Sequence, residues 1–121
     1  MAEVICVGVA FLDYVFEADL PASNDSKTFA GTYAQYGGGM AATASVAVVQ
    51  LGGKASLWGR LGNDDTGEYI RSDLAHRGVL TEHIQRIEGA QSPVSSIVIG
   101  DKGVRQATVY PGENLDSNAD W

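Results

Sequence analysis

A glycine triplet that runs straight into a helix of small and apolar side chains, Gly37-Gly38-Gly39 followed by Met40 to Leu51, constrains this chain more than any other stretch. Glycine carries no Cβ, so main chain there can lie against a ligand, and the first turn of the following helix leaves N–H groups without internal partners. Such a junction suits a polar or anionic small molecule. A plain tight turn before a buried helix is the competing reading, and the flanking sequence has to separate the two. The alanines of the helix allow close packing on a sheet, and Gly52-Gly53 supplies its C-terminal stop.

Val4-Ile5-Cys6-Val7-Gly8-Val9-Ala10 is a nearly continuous apolar run rich in β-branched residues, the pattern of a strand buried on both faces at the centre of a sheet. Lys54 to Leu61 alternates and reads as a second strand. Strand, helix, strand in that order predicts a right-handed parallel crossover. In a second helix, Asp65 and Glu68 have capping-box spacing, Ile70 and Leu74 form an apolar stripe, and Gly78 closes the element. From Asp13 to Tyr36, apolar and polar residues interleave around a turn-like run from Pro21 to Ser26, which predicts two half-exposed strands near 14–18 and 28–35. Residues 83–87 read as a short strand, and Val94–Ile99 pairs with Val104–Tyr110 across Gly100-Asp101-Lys102-Gly103. In Asp116-Ser117-Asn118-Ala119-Asp120-Trp121 a Ser/Asp N-cap reads as the start of one more helix. The fold class expected is α/β: an incomplete Rossmann-like parallel sheet with flanking helices, plus a small β lid built from strands near 14–18, 28–35 and 94–110.

At 121 residues, 45% of them hydrophobic, the chain supports one domain or part of one. Two sheet strands, two helices and outlying strands leave too few partners to cover both faces of a parallel sheet, so residues 1–121 are expected to be the N-terminal part of something larger. The formal charge of −7, from 8 Lys+Arg against 15 Asp+Glu, argues against nonspecific nucleic-acid or anionic-membrane partners. The single cysteine, Cys6, cannot form an internal disulfide, and no apolar run approaches the roughly 20 residues that span a bilayer. A cytoplasmic protein is therefore expected. His76 and His83 have no metal-ligand spacing with Cys6, and no metal site is assigned. Asp64 and Asp65 are explained by capping and by the helix dipole.

Taken together, several motifs resemble the N-terminal half of the ribokinase/PfkB family of sugar kinases. They are a strand ending in Val7-Gly8 with Asp13 shortly after, Gly38-Gly39 opening an Ala-rich helix that ends in Leu51-Gly52, and Gly62-x-Asp64-x-x-Gly67 after the second strand. Arg77-Gly78-Val79, Gly103-Val104-Arg105 and Tyr110-Pro111-Gly112-Glu113-Asn114 continue the match. The resemblance implies a ribokinase-like fold and phosphoryl transfer from ATP, with Mg²⁺, to a sugar hydroxyl. Family members carry the base for that step on a late Gly-Ala-Gly-Asp-type segment that this chain lacks, so no catalytic residue is assigned here, and the contacts to ATP and Mg²⁺ are expected mostly outside it.

For the sugar side, Asp13 stands just past the end of a strand, where ligands bind in open α/β sheets, and an ionised carboxylate accepts bonds from vicinal hydroxyls. Gly38 and Gly39 are expected to let main chain meet the sugar. Thr43 stands where most members have asparagine; it keeps a hydroxyl but not the amide's donor and acceptor pair. Lys27 offers a cation for a phosphate or sulfonate, Arg105 a clamp on an acidic substrate if it faces the pocket, and Asn114 resembles a family position near the substrate. The Gly-Gly-Gly-x-Ala-Ala-Thr-Ala run, with Lys27, is more particularly similar to the bacterial sulfofructose kinases. A homodimer through the lid strands is expected. Two other readings stand beside the kinase: a noncatalytic sugar-binding or dimerisation module, and a fragment of a dinucleotide-binding oxidoreductase. The last lacks Gly-x-Gly-x-x-Gly directly after the first strand.

Overall fold

The computed structural model describes residues 2–19 and 27–115. In chain order the elements are β1 (Glu3–Val7), β2 (Phe11–Glu17), β3 (Thr32–Gly38), α1 (Met40–Gln50), β4 (Lys54–Gly62), α2 (Asp65–His76), β5 (Ile84–Ile87), β6 (Val94–Ile99) and β7 (Arg105–Tyr110). They form two sheets. One is parallel, in the order β1-β4-β5; the other is mixed, in the order β3-β2-β6-β7, with only the β2–β6 pairing parallel. The expected Pro21–Ser26 turn and the helix start at Asp116 lie outside the described residues.

β4 organises the core because its pleat sends side chains into both faces: Leu57 and Leu61 are almost fully enclosed, and Ala55 and Ser56 are equally covered. Ile70 and Leu74 of α2, Ala41 and Ala42 of α1, Ala10 just before β2 and Leu12 within it close around the two leucines. Each such leucine contributes about 1.5–3 kcal/mol through the apolar surface it removes from water. Ser45, buried on α1, satisfies its hydroxyl by donating to the Ala42 carbonyl at 2.7 Å.

Three expectations change. Within the described residues β1 stands at the edge of its sheet rather than at the centre, and Val4, Ile5 and Val7 are 43%, 50% and 68% exposed. An apolar run states a demand for cover, not which strand supplies it; among the described residues β1 pairs only with β4. The cap of α2 is Asp64, one residue before the Asp65 that the capping-box spacing indicates. Third, Gly37 and Gly38 are the last residues of β3, so the chain enters α1 from a strand and only Gly39, at φ +92°, makes the turn. The β6–β7 hairpin forms as expected, closed by a short 3₁₀ turn at Asp101–Gly103. No helix among the described residues is long and apolar enough to cross a membrane.

Candidate functional site

Asp13 lies on β2 between two neighbours fixed by register: antiparallel pairing with β3 sets Phe11 opposite Gly38, and parallel pairing with β6 sets Asp13 beside Ser95. With a side-chain period of two, Asp13, Gly38 and Ser95 share one face of the sheet. The Ser95 hydroxyl donates to Asp13 Oδ1 at 2.6 Å. Opposite, a Cβ built on Gly38 would stand 2.2 Å from Asp13 Oδ2 and 2.8 Å from Cγ. The bare main chain at Gly38 is thus filled by a carboxylate of the same molecule. A Cβ on Gly39 would stand 2.6 Å from the Val9 carbonyl, so the second glycine serves a close approach of α1 to the chain leaving β1.

The remaining candidates are spread out. Thr43 is exposed on the first turn of α1, its N–H donating to the Gly39 carbonyl at 2.9 Å. It borders a cavity of about 250 Å³ shared with Gly37, Asp73 and Arg77, whose walls do not include Asp13. Lys27 is exposed in the irregular stretch before β3. Arg105 is exposed and pairs with Ile99, which pairs with Glu17, so it shares the Asp13 face but sits four residues further along β2. At about 3.3 Å per residue that is roughly 13 Å. Asn114 adopts φ +60°, a conformation asparagine tolerates, and donates to the Gly89 carbonyl at 3.4 Å. The structure therefore brings together Asp13, Gly38 and Gly39, and adds Ser95. Ser95 left one sequence trace: it is a hydroxyl in the row it forms with Ile97 and Ile99.

A second polar cluster anchors the strand that carries Ser95. Asp64 Oδ1 accepts from the Gly67 N–H at 2.8 Å and from the Ser92 hydroxyl at 2.6 Å, while Oδ2 accepts from the Ser92 N–H at 2.9 Å. The Ser92 oxygen in turn accepts the Gly62 N–H at 2.9 Å. Arg86 donates to the Gly62 and Asp64 carbonyls at 3.0 and 3.2 Å and to the Glu68 carboxylate at 2.7 Å. One carboxylate thereby ties the end of β4, the start of α2 and the run into β6.

Burial pushes the Asp64 carboxyl up, but the hydrogen bonds from Ser92 and Gly67 and the Arg86 charge outweigh it, and its pKa is lowered. Hydrogen bonds from Arg71, then Arg86 and Ser72, hold Glu68 at about 2. Both groups bind protons less readily folded than unfolded, so the stability they contribute is complete above the ordinary carboxylate range and is lost as pH falls through their folded values. Asp64→Asn is expected to lower stability at neutral pH and to flatten its fall below about pH 4. Denaturant titrations across that range check this; a wild-type acid slope in the variant would contradict it.

The whole chain, residues 1–121, matches the sequence model of the pfkB family of carbohydrate kinases. An ATP-dependent ribose-1-phosphate kinase of Halopiger xanaduensis is 31% identical over 103 residues, which cover 85% of this chain and 35% of that protein. A fructokinase of Vibrio alginolyticus is 36% identical over 81 residues, 65% of this chain and 26% of its own. Among solved structures, a protein of Agrobacterium tumefaciens provisionally named a ribokinase superposes with a TM-score of 0.88 at 36% identity, over 93% of this chain and 37% of that one. The chain thus spans about a third of the length of the relatives it matches. Its architecture is the ribokinase-like α/β fold, a parallel sheet with flanking helices and additional sheet strands. With the family motifs spread along the sequence, the family model matched from end to end and the fold shared, the chain belongs to the pfkB family of carbohydrate kinases.

Proposed function

We propose that the chain is the N-terminal, sugar-binding portion of a longer ATP-dependent kinase that transfers the γ-phosphoryl group to a sugar hydroxyl. The observation that carries this reading is the Asp13 carboxylate, held between Ser95 and Gly38 where the chain passes from the parallel sheet into the mixed one. A carboxylate is an acceptor with several lone pairs; with one bonded to Ser95, the others remain for paired sugar hydroxyls. Gly39 and Thr43 line the adjoining start of α1, and threonine's shorter reach there favours a substrate different from that of an asparagine-bearing site. Exposed Lys27 and Arg105 serve an acidic substituent, a phosphate or the sulfonate of a sulfofructose-type substrate, when the mixed sheet closes as a lid. Asn114 completes the loop beyond that sheet. Closure excludes water that would otherwise accept the phosphoryl group.

ATP and Mg²⁺ are the cofactors this reading implies, with most of their contacts supplied by the rest of the kinase. Tyr14, Phe16 and Tyr33 cluster on the opposite face of the lid, with Tyr14–Tyr33 and Phe16–Tyr33 ring centroids 6.5 and 5.1 Å apart and Tyr33 53% exposed, which supports a homodimer through the lid strands. Turnover of ketoses, deoxy-keto acids and sulfonated sugars by the full-length kinase identifies the substrate. Asp13→Asn, which keeps the shape but loses the charge, is expected to lower kcat/KM for that sugar about tenfold, roughly 1–2 kcal/mol, without changing the KM for ATP. Unchanged sugar kinetics would remove Asp13 from the site.

A further inference from the structure

Ser95 shares its face of β6 with Ile97 and Ile99, yet it is the most enclosed of the three, at 6% exposure. A hydroxyl so enclosed is stable only with a partner. Asp13 Oδ1 is that partner, at 2.6 Å, and the parallel register of β2 and β6 holds the two side by side. On the other flank the Gly38 main chain closes against Oδ2. An aspartate side chain has only two torsions, and one bond plus one wall suffice to fix both. Three residues upstream of Ser95, Ser92 is bonded through its N–H and its hydroxyl to Asp64, so the strand that delivers Ser95 is fastened to the helical layer.

We infer that Ser95 is a positioning residue: it sets the orientation in which Asp13 meets the substrate, and so which pair of sugar hydroxyls the carboxylate accepts. This rests on the reading of Asp13 as the sugar ligand. Ser95 acts through Asp13 because its own burial keeps it off the ligand. Without the serine the carboxylate is free to turn, and each sugar bond must first order it. The effect falls on sugar binding rather than on phosphoryl transfer.

The test is a double-mutant cycle in the full-length kinase, with KM and kcat for the sugar, KM for ATP and the thermal midpoint measured for every variant. Ser95→Ala is expected to raise the sugar KM about tenfold, with kcat and the ATP KM within about twofold of wild type, and to add nothing further in an Asp13→Asn background. Ser95→Thr, which restores the hydroxyl on a strand-favouring residue, is expected to return the sugar KM to near wild type. If Asp13→Asn impairs sugar binding while Ser95→Ala leaves the KM unchanged, the inference fails and the Asp13 reading stands. Equal effects of Ser95→Ala in both backgrounds also overturn it, since the serine would then act independently of Asp13. No effect of Asp13→Asn removes the ligand itself, a different failure from the other two.

Discussion

Gly67→Ala is expected to cost about 3 kcal/mol or more of folding stability, a large share of the roughly 5–15 kcal/mol that holds a domain together. A Cβ there would stand 2.2 Å from the Gly62 carbonyl, 2.8 Å from Ser92 Oγ and 3.0 Å from Asp64 Oδ1. The nearest of these is main chain at the end of β4, already held by Arg86, and cannot rotate away. Relief requires the first turn of α2 to back off the sheet. That movement breaks the Asp64 cap, worth about 1 kcal/mol, and strands the buried partners of Ser92, at about 1–3 kcal/mol. Chemical denaturation measures the loss; a change below about 1 kcal/mol would show that α2 does not sit against β4 this closely.

Gly38→Ala is expected to damage function more than stability. Its Cβ would occupy the place of the Asp13 carboxylate, and that group is the end of a side chain, so the fold survives at a cost of about 1–3 kcal/mol. The carboxylate does not survive in place. To make room it must leave Ser95, taking its oxygens away from where the sugar meets them. In the full-length kinase kcat/KM for the sugar is expected to fall about a hundredfold, close to 2.7 kcal/mol, with the KM for ATP unchanged. Wild-type sugar kinetics in a folded Gly38→Ala protein would mean that the carboxylate's position is irrelevant to the substrate.

What was legible in the sequence followed from short-range patterns. The Ile70 and Leu74 stripe, the alanine-rich helix before Gly52-Gly53, the alternating strand that became β4 and the hairpin around Asp101–Gly103 each declare themselves within a dozen residues. The proximity of Asp13 to the glycine pair was expected from the family pattern, but the physical reason for Gly38 was not, because it depends on a carboxylate across the strand pair. Ser95 and Asp13 are 82 residues apart in sequence, and Ser92 and Asp64 are 28 apart. No local periodicity encodes such contacts; register does, and register is set by the sheet as a whole. Val4, Ile5 and Val7 likewise show that β1 needs cover and not what supplies it. For Asn114 the polar side chain of a turn and that of a site look the same in sequence, and its φ of +60° adds the turn.

The grip of Asp13 on the sugar is tested most directly by a crystal structure of the full-length kinase with its substrate bound. One or two sugar hydroxyls are expected within about 3 Å of the Asp13 carboxylate, with the Ser95 bond intact. A sugar seated elsewhere, with Asp13 bonded only to Ser95, would contradict the role assigned to this site.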